Sequence, residues 1–343
     1  MKTEHELTQL LLVRGRQSSS DLHLALEQRV SLATVKRALA RMVEEGKVIA
    51  DGRGRATVYH LSDAFTLFMP IDLDLYFESE QDQRPIRTQF NTAVLKQLEA
   101  CTCFTDAEHE RIEALHAEFR HRFDRLDTGS RNRELERLAI DLSWKSSQIE
   151  GNTYTLLETE LLLKERRTAA GRTRDEATML LNHKAAIDFL VAHPDYLDPL
   201  KVSTIEDIHA LLVNDLGIER NLRNQRVGIS GTNYVPLDNH FQIREALNDL
   251  CSVVNHTAYP PAKALIALLL LSYIQPFVDG NKRTARIVPN AVLMQHGYCP
   301  LSFRTVDSLF YKKAMLLFYE QNNASAVKTM FIEQFEFAVK TYF

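Results

Sequence analysis

One stretch of twelve residues brings together more side chains able to bind a ligand than any other part of the sequence: Gln275-Pro276-Phe277-Val278-Asp279-Gly280-Asn281-Lys282-Arg283-Thr284-Ala285-Arg286. It follows an apolar segment that ends near Tyr273 and precedes a second predicted helix, which runs to about His296. A glycine between two helices lets the backbone approach a ligand, and the main-chain N–H groups at a helix start attract anions. The pattern therefore predicts an anion-binding loop between two helices.

The side chains of this stretch suit a polyphosphate. Arg283 and Arg286 are three residues apart, so both guanidinium groups can reach one ligand and bind its oxygens through paired N–H groups. Asp279, just before the predicted helix, is expected to hold a Mg²⁺ ion that bridges phosphates. A solvated basic helix start is the simpler interpretation, but it does not explain why an acid, a glycine, an amide and two spaced arginines coincide.

The stretch resembles the signature of the Fic (Fido) family, His-Pro-Phe-x-Asp/Glu-Gly-Asn-Gly/Lys-Arg-x-x-Arg, at every defining position except the first. The resemblance implies an ATP-binding core that transfers AMP to a Ser, Thr or Tyr hydroxyl of a target protein (AMPylation), with the histidine as general base. It also implies a set of nucleotide-binding residues, with Asp279 as the metal ligand: Gly280, Asn281, Lys282, Arg283 and Arg286.

Gln275 stands where the family signature has its histidine. A carboxamide has no proton that titrates near pH 7, so Gln275 can orient a hydroxyl but cannot act as a general base. Removal of a positioned base typically lowers a rate by about 10²- to 10⁴-fold. The sequence therefore predicts that nucleotide binding survives while AMP transfer is degenerate.

A second match is the segment Ser146-Ser147-Gln148-Ile149-Glu150-Gly151-Asn152, at the end of a helix predicted at about residues 134–151. A carboxylate in the last turn of a helix opposes the helix dipole, so Glu150 is expected to have a cationic partner. The segment resembles the inhibitory motif Ser/Thr-x-x-x-Glu-Gly/Asn of Fic proteins. The resemblance implies autoinhibition by Ser146 and Glu150, with Glu150 paired to Arg286; the alternative is an exposed glutamate at a helix end.

A third, weaker match is residues 226–236, RVGISGTNYVP. Two short extended stretches around Ser230-Gly231-Thr232-Asn233 predict a small β-hairpin. It resembles the flap that, in the Fic family, registers the target segment beside the nucleotide, and strand addition at its edge is one way to do so. The flap residues predicted to act are Gly228, Ile229, Tyr234 and Val235.

The first 60 residues differ in charge from the rest of the chain. They hold ten Lys and Arg against seven Asp and Glu, a net charge of +3, whereas the remainder holds 31 against 38, a net charge of −7. Three predicted helices, the third opened by Ser31 and closed by Gly46, precede two short strands around a basic glycine-rich turn. This order resembles a winged helix-turn-helix domain, here residues 1–62.

A winged helix-turn-helix domain implies DNA binding by its third helix and its wing. The exposed face of the third helix carries Thr34, Lys36, Arg37 and Arg41, and the wing carries Arg53 and Arg55. The alternative is that the charged stripe is only a solvated face and that the domain mediates dimerisation or protein binding.

The composition of the whole chain bounds its class. With 343 residues, 12 glycines and 10 prolines, it predicts a mainly α fold, and the net charge of −4 excludes a protein that is cationic throughout. The four cysteines fit neither a disulfide framework nor a metal site. The longest apolar run, eight residues, is too short for a membrane span, and the N-terminus does not resemble a secretory signal, so we expect a cytoplasmic protein that does not bind membranes.

The predicted domain order is residues 1–62, a connecting part at 63–130 that packs on the core, and an all-helical Fic core at 131–343. Alternation of apolar and acidic residues at 71–75 predicts a short strand in the connecting part. Fic and winged-helix proteins are often dimeric, which makes a homodimer possible.

Three hypotheses remain open from the sequence. The first is a DNA-binding regulator that senses ATP and is degenerate for AMP transfer. The second is an active adenylyltransferase, or a de-AMPylase, restrained by Glu150. The third is a scaffold that has lost its chemistry, although a scaffold has no need of the phosphate contacts.

Overall fold

The computed structural model describes residues 2–27, 29–84 and 86–343, with the side chains of Lys2, Val13 and Arg55 left out. Two compact units follow one another along the chain, residues 1–69 and residues 70–343. The first unit includes residues 63–69, which follow the boundary predicted at residue 62. The helix in this stretch packs Phe65 against the hydrophobic core of the first unit.

The first unit combines four helices with a three-stranded sheet. Its elements, in chain order, are α1 (Lys2–Arg14), β1 (Gln17–Ser18), α2 (Ser19–Ala25), α3 (Leu32–Glu44), β2 (Val48–Asp51), β3 (Val58–Leu61) and α4 (Asp63–Phe68). The strand order is β1-β3-β2 and both pairings are antiparallel, with Val48 opposite Leu61 and Asp51 opposite Val58.

Local sequence explains where these helices begin. The hydroxyl of Ser18 accepts a hydrogen bond from the N–H of Asp21, and the hydroxyl of Ser31 accepts one from Thr34, so both serines cap a helix start. The apolar face of α3, with α1 and α2, forms the core of the unit. This core contains Leu7, Leu11, Leu22, Leu26, Val35, Ala38, Leu39, Met42, Val48 and Leu61.

The second unit is helical, as predicted for the body of the chain. Its helices are α5 (Leu73–Tyr76), α6 (Ala93–Ala100), α7 (Asp106–Phe123), α8 (Thr128–Ile149), α9 (Leu156–Glu165), α10 (Arg174–Ala192), α11 (Val202–Leu212), α12 (His240–His256), α13 (Pro260–Ile274), α14 (Asn281–Gln295), α15 (Ser308–Gln321) and α16 (Ser325–Tyr342). The prediction of a mainly α fold is confirmed.

Helix α13 lies at the centre of the second unit. Every residue from Ala264 to Ile274 is buried, which fits a helix that is apolar on all sides. It packs against α14, and the loop between them, residues 275–280, carries the first half of the signature sequence, whose second half opens α14. The core thus places this loop between two helices that are both fixed by packing.

Two predicted β elements are absent from the described residues. The predicted strand at 71–75 is wrong: Asp72 accepts hydrogen bonds from the N–H groups of Asp74 and Leu75 and so caps the short helix α5. The predicted hairpin at 226–236 is also wrong, since the segment contains no strand of its own. The N–H of Val235 instead donates to the carbonyl of Thr88, in an isolated parallel bridge between Val235 and Gln89.

Among the described residues, no helix is both long enough and apolar enough to cross a membrane. The four cysteines are free, and three of them are buried.

Candidate functional site

The signature loop begins at Gln275, which ends α13 in the left-handed conformation with φ of 51°. Its side-chain Nε2 donates to the carbonyl of Ser272 at 2.6 Å, and its own carbonyl accepts from Nε of Arg223 at 2.7 Å. The residue is buried, and it also lines the cavity described below. Gln275 therefore contributes to the shape of the loop, while its carboxamide has no capacity to take up a proton near pH 7.

The next residues turn the backbone into the start of α14. The carboxamide of Asn281 accepts from the N–H of Phe277 at 2.8 Å and donates to its carbonyl at 2.7 Å. Asn281 was predicted to bind nucleotide; in the structure its side chain closes the loop. Gly280 precedes the helix with φ of +81°, and a Cβ there would lie 3.1 Å from Nε2 of His209 and from Cγ1 of Val213.

Three cationic side chains follow on the first turns of α14. Arg283 is nearly fully buried, and it donates to the carbonyl of Leu212 at 3.2 Å and to Oδ2 of Asp279 at 3.1 Å. Burial lowers the pKa of Arg283 from its ordinary value. Asp279 stays largely exposed at the rim and accepts a hydrogen bond from the N–H of Gly280 at 2.6 Å.

Arg286 is completely buried and contacts the helix α8. Its Nε donates to the hydroxyl of Ser146 at 2.8 Å, and its Nη2 donates to the carbonyl of Ser146 at 2.9 Å and to Oε1 of Glu150 at 2.8 Å. Nη1 has no hydrogen-bond partner within the described part of the chain, and the guanidinium lies 5.2 Å from the ring centre of Tyr311. Glu150 also lies 3.4 Å from Nζ of Lys282.

The electrostatics of this cluster favour a charged carboxylate. Burial acts to raise the pKa of Glu150, but the charges of Arg286 and Lys282 outweigh it and hold that pKa below its ordinary value. Glu150 is therefore ionised at neutral pH, and its carboxylate accepts a hydrogen bond from Nη2 of Arg286.

A cavity of about 160 Å³ lies between this cluster and the predicted flap. Gly228 and Ile229 line it, whereas Tyr234 and Val235 do not. The hydroxyl of Tyr234 donates to the carbonyl of Tyr273 at 2.9 Å, so this residue anchors the segment to α13. The residues that line the cavity are Glu150, Val227, Gly228, Ile229, Ser230, Gln275, Val278, Asp279, Gly280, Asn281, Lys282 and Arg283.

Two residues that fix the loop were missed from the sequence. Arg223 is completely buried and donates to the carbonyls of Gln275, Gln225 and Leu237. Nothing in its local sequence distinguishes it from Arg220 or Arg226, because its partners are main-chain carbonyls, and the one in the signature loop is 52 residues along the chain.

The second is His209, on α11, whose ring stacks on Phe277 with the ring centres 3.6 Å apart. Its Nε2 lies 2.9 Å from the carbonyl of Asp279 and its Nδ1 lies 3.3 Å from that of Arg220. Burial lowers the pKa of His209 to about 4, so the ring is neutral at pH 7 and donates to only one of the two carbonyls.

In the first unit, the predicted DNA-binding residues lie on the solvent side of α3 and in the turn between β2 and β3. Lys36, Arg37 and Arg53 are exposed. The hydroxyl of Thr34 is hydrogen-bonded to that of Ser31 at 2.9 Å, and Arg41 forms an ion pair with Glu4. The side chain of Arg55 lies outside the described part of the chain.

Residues 199–293 match the family model described as Fic/DOC family. The chain contains a Fic/DOC family domain. The matched range includes the signature loop, the flap segment, Arg223 and His209, and it excludes Glu150 and the first unit.

Curated relatives named Protein adenylyltransferase Fic match about half of the chain. The one from Drosophila melanogaster is 27% identical over 201 residues, which cover 57% of this chain and 39% of the relative. The one from Aedes aegypti is 31% identical over 203 residues, which cover 52% of this chain and 39% of the relative. The chain thus matches about two fifths of the length of these relatives.

Solved Fic structures share the fold. Fic-1 from C. elegans has a TM-score of 0.58 at 20% identity, over 69% of this chain and 72% of that chain. A Fic family protein from Desulfovibrio desulfuricans G20 has a TM-score of 0.58 at 20% identity, over 69% of this chain and 74% of that one.

Proposed function

We propose that this chain is a nucleotide-binding Fic protein with a DNA-binding first unit, which acts as a regulator and is degenerate for AMP transfer. The observation that carries nucleotide binding is the start of α14, where Gly280, Asn281 and the cations Lys282 and Arg283 line one cavity. A helix N-terminus with nearby cations favours phosphate groups.

The size of the cavity indicates which part of a nucleotide it takes. Sites that enclose a whole ligand usually measure about 300–1,000 Å³, and this cavity measures about 160 Å³. It suits a chain of phosphates, with the nucleoside extending outside. ATP is the proposed ligand because the named relatives are adenylyltransferases.

The residues present fit a Mg²⁺ ion that arrives with the nucleotide. Mg²⁺ usually takes one or two protein carboxylates and completes its octahedron with phosphates and water. Asp279 is an exposed carboxylate at the rim of the cavity with acceptor capacity left, and the described residues contain no cluster of three or more acidic, His or Cys ligands that would hold a metal by themselves. Bound there, Mg²⁺ would neutralise phosphate charge.

The proposed loss of transfer rests on Gln275, at the position of the signature histidine. The side chain cannot accept the proton that a target hydroxyl must lose when its oxygen attacks the α-phosphate. Its Nε2 is also bonded to the carbonyl of Ser272.

Binding is tested by isothermal titration of the full chain with Mg-ATP. Arg283→Ala is expected to weaken the affinity about 10- to 100-fold, because a hydrogen bond to a charged group contributes about 1.5–3 kcal/mol. Arg167→Ala serves as the control, because Arg167 is exposed and lies two residues after the end of α9. Equal affinities for wild type and Arg283→Ala would contradict the proposed site.

DNA binding by the first unit is supported by the net charge of +3 over residues 1–60, by the exposed Lys36 and Arg37 on α3, and by Arg53 between β2 and β3. Fluorescence anisotropy with a labelled duplex tests it. Arg37→Ala is expected to weaken binding several-fold and to lower the salt dependence by about one phosphate contact, while Arg29→Ala, before α3, serves as the control. A duplex affinity that changes with Mg-ATP would support the regulator; an affinity that is the same with and without Mg-ATP would contradict it.

The second candidate is an active adenylyltransferase or de-AMPylase restrained by Glu150. The ion pair between Glu150 and Arg286 favours it, since a restraint is most useful on a working site. Incubation of the Glu150→Gly variant with labelled ATP and lysate, and separately with an AMPylated protein, tests both reactions. Transfer or removal of label that Asp279→Ala abolishes would favour the enzyme. Absence of both reactions under every condition would favour the regulator.

A further inference from the structure

The flap segment, residues 226–236, makes its contacts unevenly. No hydrogen bond joins residues 227–230 to the rest of the described chain, although these residues line the cavity. Residues 231–235, in contrast, are bonded at several points to the segment that precedes α6. The position of the cavity-lining half therefore depends on how its neighbours are held.

The strongest of these contacts comes from Arg84. Its Nη2 donates to the carbonyl of Gly231 at 2.6 Å and to Oε1 of Glu320 at 2.8 Å, while its Nε donates to Oε2 of Glu320 at 3.0 Å. The side chain of Glu320, on α15, is fully buried and also accepts from the hydroxyl of Tyr76 at 2.8 Å. The guanidinium is therefore fixed by a two-point ion pair, while Nη2 also reaches the turn of the flap and Nη1 donates to the carbonyl of Ser79 at 3.3 Å.

Further contacts lie on both sides of Arg84. Nε2 of Gln81 donates to Oδ1 of Asn233 at 2.5 Å, and Nδ2 of Asn233 donates to Oδ1 of Asp82 at 2.8 Å. The N–H of Val235 donates to the carbonyl of Thr88 at 3.0 Å. Three successive parts of the flap are thus bonded to one upstream segment.

We propose that residues 76–84 and 86–89 form a clamp that holds the flap over the phosphate cavity, with Arg84 as its positioning residue. The clamp takes up the main-chain N–H of Val235, so a target segment that adds to the flap as a strand must use residues 227–230. The consequence for ligand access rests on the nucleotide cavity proposed above, whereas the clamp itself rests on the contacts alone. Release of Arg84 would open the cavity by freeing the flap.

Hydrogen–deuterium exchange of the full chain, measured by mass spectrometry, tests the clamp directly. Arg84→Ala is expected to raise the exchange rate of peptides from 226–236 about tenfold, and Arg84→Lys to raise it less, because an ammonium can keep the ion pair with Glu320 but not the contact with Gly231. Arg87→Ala is the matched control, since Arg87 is exposed and only its main-chain N–H contacts Glu320.

Arg84→Ala leaves the carboxylate of Glu320 buried without its guanidinium, so this variant could fail to fold. A double variant, Gln81→Ala with Asp82→Ala, removes the contacts to Asn233 without uncovering a buried charge and is expected to raise flap exchange about threefold. Exchange of α13 peptides should stay at the wild-type rate in both. An unchanged exchange rate of the flap peptides in the double variant and in Arg84→Lys would overturn the clamp. An exchange rate that rises as much in the α13 peptides as in the flap peptides would also overturn it.

A nucleotide measurement separates failure of the clamp from failure of the proposed function. If the wild type binds Mg-ATP, the clamp predicts faster dissociation of ATP from the folded clamp variants, by about the factor that flap exchange rises. If the wild type binds no Mg-ATP, the proposed function fails and the exchange data still decide the clamp. Normal ATP kinetics together with unchanged flap exchange would overturn the clamp and leave nucleotide binding standing.

Discussion

The two ends of the cavity are built differently. At one end, the completely buried Arg286 pairs with the partly exposed Glu150, and Ser146 accepts two further hydrogen bonds from Arg286. At the other end, Gln275 stands at the position of the signature histidine, and its carboxamide donates to the main-chain carbonyl of Ser272. This difference supports the function proposed above, in which the site would bind phosphates and restrain their pose but would lack the general base for transfer.

The largest expected effect is at the Gln275 end. In a Glu150→Gly background, Gln275→His supplies a titratable base and is expected to raise AMP transfer by about 10²- to 10⁴-fold. Transfer is measured as label from ATP in lysate proteins. Gln275→Asn is the matched control, because it changes the side chain without adding a base. No gain with histidine would mean that the site lacks more than the base.

The pH dependence of stability is the next largest effect. The pKa of His209 is about 4 in the folded protein and about 6.5 when unfolded, so the unfolded chain binds more protons between these values and stability falls as the pH drops. This histidine alone should remove on the order of 3 kcal/mol of unfolding free energy between pH 7 and pH 4.

Urea unfolding at a series of pH values measures this effect. His209→Asn should flatten the pH slope, whereas His256→Asn, at an exposed histidine, should leave it as in the wild type. His183 is also fully buried with a lowered pKa and adds to the same slope, so the slope should be reduced and not abolished. An unaltered slope in His209→Asn would show that the ring is not held neutral against the loop.

A smaller effect is expected at the start of α14. Gly280→Ala and Gly171→Ala both place a side chain at positive φ, +81° and +76°, but only at Gly280 would the Cβ meet other atoms. An alanine at positive φ should lower the free energy of unfolding by about 1–2 kcal/mol at both sites. At Gly280, the contacts with His209 and Val213 should lower it by about 1–3 kcal/mol more. Thermal unfolding with Mg-ATP titration measures both. Equal stability and equal ATP affinity of the two variants would contradict the close packing of the loop.

The smallest effect is at the Glu150 end. Glu150→Gly frees the guanidinium of Arg286 for phosphate and should raise the affinity for Mg-ATP about tenfold, as expected for one charge-assisted hydrogen bond. Titration calorimetry measures it, with Glu165→Gly at the exposed end of α9 as the control. A weaker affinity in Glu150→Gly would mean that the carboxylate supports the site and does not restrain it.

Local sequence was sufficient for the helical framework and for the signature loop. The N-cap serines, the apolar faces and Gly280 each act within a few residues, which is why α3, α13 and α14 could be predicted. The expectation that Glu150 pairs with Arg286 came from a motif, since no local property joins two residues 136 positions apart.

Most of the misses have one physical cause, namely partners that are distant in sequence, whereas the strand predicted at 71–75 is wrong because of a local helix cap. Residues 226–236 contain two short stretches around Ser-Gly-Thr-Asn that predict a hairpin, yet Val235 pairs with the backbone of Thr88 and Gln89. Arg223 and His209 act on main-chain carbonyls, which leave no trace in side-chain patterns. The acidic residues at 71–75 indicated a strand, but Asp72 serves as a helix cap.

The central claim, that the chain binds ATP without transferring its AMP, is tested most directly with ATP labelled at the α-phosphate. The wild-type chain is incubated with Mg²⁺, the labelled ATP and lysate, the native complex is isolated, and the protein is then denatured. The account predicts one labelled nucleotide per native chain, recovered as intact ATP, with no label left on any protein. Absence of label on the native chain, or label that stays covalently attached to a protein after denaturation, would contradict it.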